Sequence, residues 1–170
     1  MRTMPLISLG VALSAWLASP NASSPLVGTW RLVSFESRDA TGAITQPMGS
    51  DAVGQLVYDA DGNMSVHLMR ANRTSFVSGD RLKGTDQEVR AAFEGYHAYF
   101  GRYSVDDGAH TVTHQVLGGS FPNLIGTEQV RVFSLAGRRL TLSTPAIKVG
   151  GRSVASTLIW ERVDRGAAQQ

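Results

Sequence analysis

"GQLVYDADGNMSVHLMR", residues 54–70, alternates apolar and polar side chains on both sides of Asp61-Gly62. An Asp-Gly pair between two alternating runs is a strong short-range signal for a β-hairpin, because glycine accepts the positive φ that a tight turn needs. The design recurs in "RYSVDDGAHTVTHQV" (102–116) around Asp107-Gly108 and in "TEQVRVFSLAGRRLTLST" (127–144) around Ala136-Gly137. "LVGTWRLVSFES" (26–37) adds a strand ahead of the hairpins, with Trp30 and Leu32 on one face and Val33 and Phe35 on the other. "SVASTLIWERV" (153–163) adds one behind them. Three hairpins and two single strands make eight.

One segment breaks the period of two. "TDQEVRAAFEGYHAYF" (85–100) places Val89, Ala92, Phe93, Tyr96 and Phe100 at helical spacing. Thr85 and Glu88 have the spacing of a capping box, and Gly101 follows as a stop. An amphipathic helix needs an apolar surface to cover, and an open barrel end supplies one. Eight strands without a βαβ rhythm predict an all-β, antiparallel up-and-down barrel with one inserted helix; a two-sheet sandwich is the alternative. Closure removes sheet edges, and eight strands enclose either packed side chains or one small ligand. The polar stretch 71–84, "ANRTSFVSGDRLKG", is long enough to fold over a barrel mouth as a lid.

Composition narrows the function. A chain of 170 residues forms one domain with a real core. Its formal charge of +2 gives no basic patch, so nucleic acid is not an expected partner. With no cysteine there are no disulfides, thiolate metal sites or Cys nucleophiles. The N-terminus carries Arg2, an apolar run from Pro5 to Ala18 and then small and polar residues. That is the order of a secretory signal peptide over residues 1–23, with cleavage expected between Ala18 and Ser24. The run is too short for a comfortable bilayer crossing of ~20 residues; an uncleaved leader would act as a membrane anchor. The domain is then expected over 24–165, with a disordered tail at 166–170. The expected location is the periplasm or outside the cell.

Several residues now look like a family. Gly28-Thr29-Trp30 is similar to the Gly-x-Trp of lipocalin-like first strands. "LVGTWRLVSFE", "YDADGNMSVHLMR", "AAFEGYHAYFGRY", "TVTHQV", "GTEQVR", "LTLSTP" and "IWERV" together resemble the single-domain lipocalin-like proteins over residues 26–163. The resemblance implies a small barrel with an internal hydrophobic cavity and Trp30 plugging one end, but no agreed activity or cofactor. Gln115 stands where such chains often carry a second histidine after His114, which weakens any chemistry that needs the pair.

The corner "THQVLGGSFPNLIGTEQVRV" (113–132) holds the best polar constellation. Its glycines and Pro122 predict an irregular rim loop and not a catalytic motif. Gln129 and Arg131 share a face with Phe133; Glu128 and Val130 share the other. An Arg131 facing the interior needs Glu36, Glu161 or an anionic ligand, because an unpaired buried charge is very costly. A slip of one residue would exchange Arg131 with Val130 or Val132. His110 and His114 on one strand lie ~13 Å apart, too far to share a metal, and neither a metal nor a cofactor is expected. The expected ligand-binding residues are Tyr58, His67, Tyr99, His114, Phe121, Gln129 and Arg131. The leading expectation is an exported barrel that binds a small, mostly hydrophobic molecule. The alternatives are a cofactor-independent cyclase or isomerase using His114 as an acid–base near neutrality, and a solid barrel with no ligand.

Overall fold

The computed structural model describes residues 24–149 and 151–164, so the leader expected at 1–23 and the tail at 166–170 lie outside the described residues. In chain order the strands are β1 (Gly28–Asp39), β2 (Ile44–Thr45), β3 (Val53–Tyr58), β4 (Asn63–Met69), β5 (Tyr96–Asp106), β6 (Thr111–Gly119), β7 (Glu128–Ala136), β8 (Arg139–Ser143), β9 (Ile147–Val149) and β10 (Arg152–Arg162). All pairings are antiparallel, and β1 joins both β3 and β10, which closes β1-β3-β4-β5-β6-β7-β8-β10 into an eight-stranded barrel. The two-residue β2 and the three-residue β9 are short additions paired to β1 and β10.

At two of the three hairpins the turn chemistry does what the sequence asks. Gly62 adopts φ 85° between β3 and β4, while the Asp59 carboxylate accepts the backbone N–H groups of Asp61 and Asn63 at 2.9 and 2.7 Å. Gly137 adopts φ 58° between β7 and β8. Between β5 and β6 the left-handed residue is His110, at φ 52°, and not Gly108. All three hairpins lie at one end of the barrel, and that end is sealed. Trp30 is fully buried there and donates its indole N–H to the Leu26 carbonyl at 2.9 Å; the Arg162 guanidinium stacks 4.0 Å from its ring centre. The opposite end, where β4 leaves and β5 enters, is the mouth.

Two expectations need correction. The helix is α1 (Asp86–Glu94) and not 85–100, and it buries no side chain. Its start is as expected: Thr85 and Glu88 form a capping box. It stops early because the Gly95 N–H closes back on the Ala91 and Phe93 carbonyls; Tyr96 to Phe100 then open β5. Val89 and Phe93 remain about half exposed, so α1 covers no barrel end. Nor is Gly101 a stop. It lies within β5 beside a register shift, where a Cβ would stand 1.9 Å from the Gln115 carbonyl oxygen.

The second correction concerns β1. A bulge between Leu32 and Ser34 inserts one residue against β10, which reverses the alternation along the strand. Trp30 and Leu32 face inward as expected, Val33 is expelled to solvent, and Phe35 and Ser37 return to the interior. A single bulge therefore adds Phe35 to the lining of the barrel.

Candidate functional site

Between the Trp30 plug and the mouth lies a cavity of about 130 Å³. Its walls are mostly apolar: Phe35, Leu56, Val66, Leu68, Ile147, Leu142, Leu158 and the ring of Trp160. The polar lining consists of His97, Tyr99, His114, Arg131, Thr144 and Ser156, and includes no carboxylate.

His114 is the centre of the polar part. It sits on β6 with Val112 and Val116, the inward residues of an alternating strand, and is 2% exposed. Its Nε2 lies 2.6 Å from the hydroxyl of Tyr58, which reaches across the interior from β3, and its Nδ1 lies 2.9 Å from the hydroxyl of Tyr99 on the neighbouring β5. Burial holds the His114 imidazole neutral, with its pKa lowered to about 3, and the Arg131 charge pushes the same way. Burial raises both tyrosines above their ordinary range, although the Arg131 guanidinium beside Tyr99 opposes this. Burial and then Asp59 push the third interior tyrosine, Tyr103, up to about 12. All three phenols are therefore protonated at neutral pH.

Register places Arg131 inward. Val130 and Val132 are 42% and 54% exposed on the outer face, whereas Arg131 lines the cavity. Its guanidinium donates to the Val130 carbonyl at 2.9 Å and to the Gln129 side-chain oxygen at 3.4 Å. Gln129 is itself anchored on the Thr127 hydroxyl at 2.9 Å. Among the described residues Arg131 makes no salt bridge: Glu161 pairs with Arg31 at 2.5 Å on the outside, and Glu36 is exposed.

Of the expected residues, Tyr99, His114 and Arg131 line the cavity together. Tyr58 supports His114, and Gln129 steadies Arg131. His67 and Phe121 are elsewhere. In β4 the inward positions are Met64, Val66 and Leu68, so His67 points outward, with Nδ1 2.7 Å from the Tyr96 hydroxyl. Phe121 precedes the short turn Pro122–Leu124 and is 43% exposed. The rim loop expected at this corner is there. Gly119 packs so closely on β5 that a Cβ would lie 2.9 Å from both the Ala98 carbonyl oxygen and the Tyr99 Cβ. No residue of the 71–84 loop lines the cavity, and its Val77 and Leu82 are 96% and 83% exposed, so it does not close the mouth as a lid.

Sequence reasoning missed His97 as a site residue. It lies two positions before Tyr99 on the same face of β5, at the mouth, and burial with the Arg131 charge lowers its pKa. The alternation His97-Tyr99-Gly101-Tyr103 carried that signal. Among the described residues, no group of three or more His, Asp or Glu side chains could hold a metal ion, and no helix is long and apolar enough to cross a membrane.

Residues 27–163 match the lipocalin-like domain family. The chain belongs to that family. Over 109 residues, 60% of this lipocalin-like chain and 98% of its relative, it is 38% identical to the 4'-hydroxy-3'-methoxypropiophenone carrier protein ppsC of Aspergillus oryzae. Similar solved structures include the lipoprotein YedD from Klebsiella pneumoniae, at 11% identity and TM-score 0.38, covering 85% of this chain and 76% of that one. Another is a lipocalin-like protein from Bacteroides uniformis, at 14% identity and TM-score 0.40, covering 81% and 98%.

Proposed function

We propose that this lipocalin-like protein is an exported carrier that holds one small, largely hydrophobic molecule inside its barrel. The observation that carries the reading is the interior itself: a largely apolar cavity of about 130 Å³, sealed at one end and open at the other, with polar groups from β5, β6 and β7 and Thr144 and Ser156 in its lining. An apolar cavity of roughly 150 Å³ is enough to bind benzene, so this one suits a single ring, with longer substituents leaving through the mouth. Apolar burial at ~25 cal/mol per Å² would supply the affinity, and the polar groups the orientation. The naming of a relative as a carrier of an aryl ketone supports small-molecule binding. Export rests on the order of Arg2, the Pro5–Ala18 apolar run and the small and polar residues after it.

His114 is a poor acid–base for a cyclase or isomerase. A group with a pKa of about 3 is not poised near neutrality, and both of its ring nitrogens are held by tyrosines. The cavity argues against the solid barrel.

The test is to purify the exported protein natively, compare its native and denatured masses, extract any released molecule, and titrate the emptied protein with an environment-sensitive aromatic dye. A saturable site with one dye per chain supports the carrier. No bound molecule together with no saturable site overturns it. N-terminal sequencing of the exported chain tests the leader: a start at residue 1 would refute cleavage between Ala18 and Ser24.

A further inference from the structure

The hydrogen-bond directions around His114 say what the occupant must bring. Tyr58 is 1% exposed, and among the described residues its hydroxyl has one hydrogen-bond partner, Nε2 of His114. A buried O–H needs an acceptor, so Tyr58 donates and Nε2 accepts. The neutral imidazole then carries its proton on Nδ1, which donates to the Tyr99 oxygen 2.9 Å away. With its oxygen taken, Tyr99 has its own O–H left to donate, and Tyr99 lines the cavity. Beside that hydroxyl stands the Arg131 guanidinium, a cation with five N–H donors and no carboxylate partner. Trp160 also lines the cavity, and among the described residues its buried indole N–H has no hydrogen-bond partner. Around Arg131 the cavity thus offers the Tyr99 O–H and the guanidinium N–H groups as donors, with no carboxylate in the lining; His97, Thr144 and Ser156 are the other polar residues there.

We propose that the carried molecule is an aromatic ring bearing an ionised oxygen, a carboxylate or a phenolate, seated with that oxygen between the Tyr99 hydroxyl and Arg131. The inference rests on the carrier reading and narrows it. The cavity size sets the ring, and the donors set the charge. A ring-bound oxyanion satisfies Tyr99 and Arg131 at once, and hydrogen bonds to charged groups are the strong ones.

The experiment measures affinities of the purified exported protein for benzoate, its neutral isostere nitrobenzene, toluene, and 4-nitrophenol titrated across its own ionisation. Benzoate is expected to bind about tenfold to a hundredfold more tightly than nitrobenzene. If instead only the ionised nitrophenol shows the preference, the occupant is a phenolate. In Arg131→Met the ratio of benzoate to nitrobenzene affinity is expected to fall toward one, and Arg131→Lys to restore part of it. The unfolding midpoint of each variant separates lost affinity from lost structure. Toluene and nitrobenzene binding as tightly as both ionised probes would overturn the inference and leave the carrier reading standing. Failure of all four probes to bind saturably while the aromatic dye still binds would overturn the inference alone; failure of the dye as well, with no molecule released on denaturation, would overturn both. A preference for the ions that survives Arg131→Met would also overturn it, by removing Arg131 from the oxyanion's site.

Discussion

The Tyr58 hydroxyl stands 2.6 Å from Nε2 of His114, and neither group reaches solvent. A buried neutral imidazole has a direct consequence for stability against pH. In the unfolded chain the histidine titrates near 6.5; in the fold it stays neutral down to about 3. Between those values the unfolded state binds a proton that the native state does not, so stability falls as the pH is lowered through this window. The expected contribution is about 1.4 kcal/mol per pH unit. Urea titrations from pH 7 to pH 4 check it, with His114→Gln expected to flatten the slope. An unchanged slope in that variant would assign the acid sensitivity to other groups.

The same pair fixes a tautomer. If Tyr58 donates to Nε2, the His114 proton resides on Nδ1, facing Tyr99. Nitrogen-15 chemical shifts of labelled histidine read this directly: Nδ1 should appear protonated and Nε2 as an acceptor from pH 5 to 8. Tyr58→Phe leaves a buried acceptor without its donor and is expected to cost about 1–3 kcal/mol. A proton found on Nε2 would reverse the direction of the whole Tyr58-His114-Tyr99 chain.

The barrel was legible because each hairpin writes its turn and its alternation within a few residues. Asp61-Gly62 marks the β3–β4 turn, and Met64, Val66 and Leu68 mark the buried face of β4. The site was less legible because side-chain direction depends on events that leave weak local marks. The bulge after Leu32 brings Phe35 inside, and nothing in "RLVSFE" announces it. His97 was assigned to a helix because Phe93, Tyr96 and Phe100 fit both a period of 3.6 and the start of a strand; Gly95, and not Gly101, decides between them. Arg131 needed only the correct parity of β7, which the exposure of Val130 and Val132 confirms. His67 was misplaced because residue type outweighed the plain alternation of its own strand.

Gly101 is expected to tolerate no side chain. Its added Cβ would lie 1.9 Å from the Gln115 carbonyl oxygen and 2.9 Å from the carbonyl carbon, in the β5–β6 ladder, where the backbone has little freedom to move. Overpacking of this kind costs typically about 1–3 kcal/mol, and a backbone clash belongs at the upper end. Gly101→Ala should lower the urea midpoint accordingly, whereas Gly79→Ala, in open space on the 71–84 loop, should cost less despite its positive φ. Equal losses at the two positions would remove close strand packing as the reason for a glycine at 101.

A cavity that exists in solution accepts an inserted ring, and a solid core does not. Leu158 lines the space on β10, packed beside Leu142 of β8 and Phe35 of β1, so Leu158→Trp directs an indole into it. Leu140, fully buried near the sealed end, does not line the cavity. Leu140→Trp is therefore expected to lose about 1–3 kcal/mol through overpacking, and Leu158→Trp less than about 1. Dye binding should show the opposite order, abolished in Leu158→Trp and present in Leu140→Trp under conditions where that variant is folded. Denaturant titration and dye titration on the same preparations check both halves. If Leu158→Trp unfolds as readily as Leu140→Trp, the interior is packed solid there; if it stays folded and binds dye like the parent, the dye sits outside the barrel.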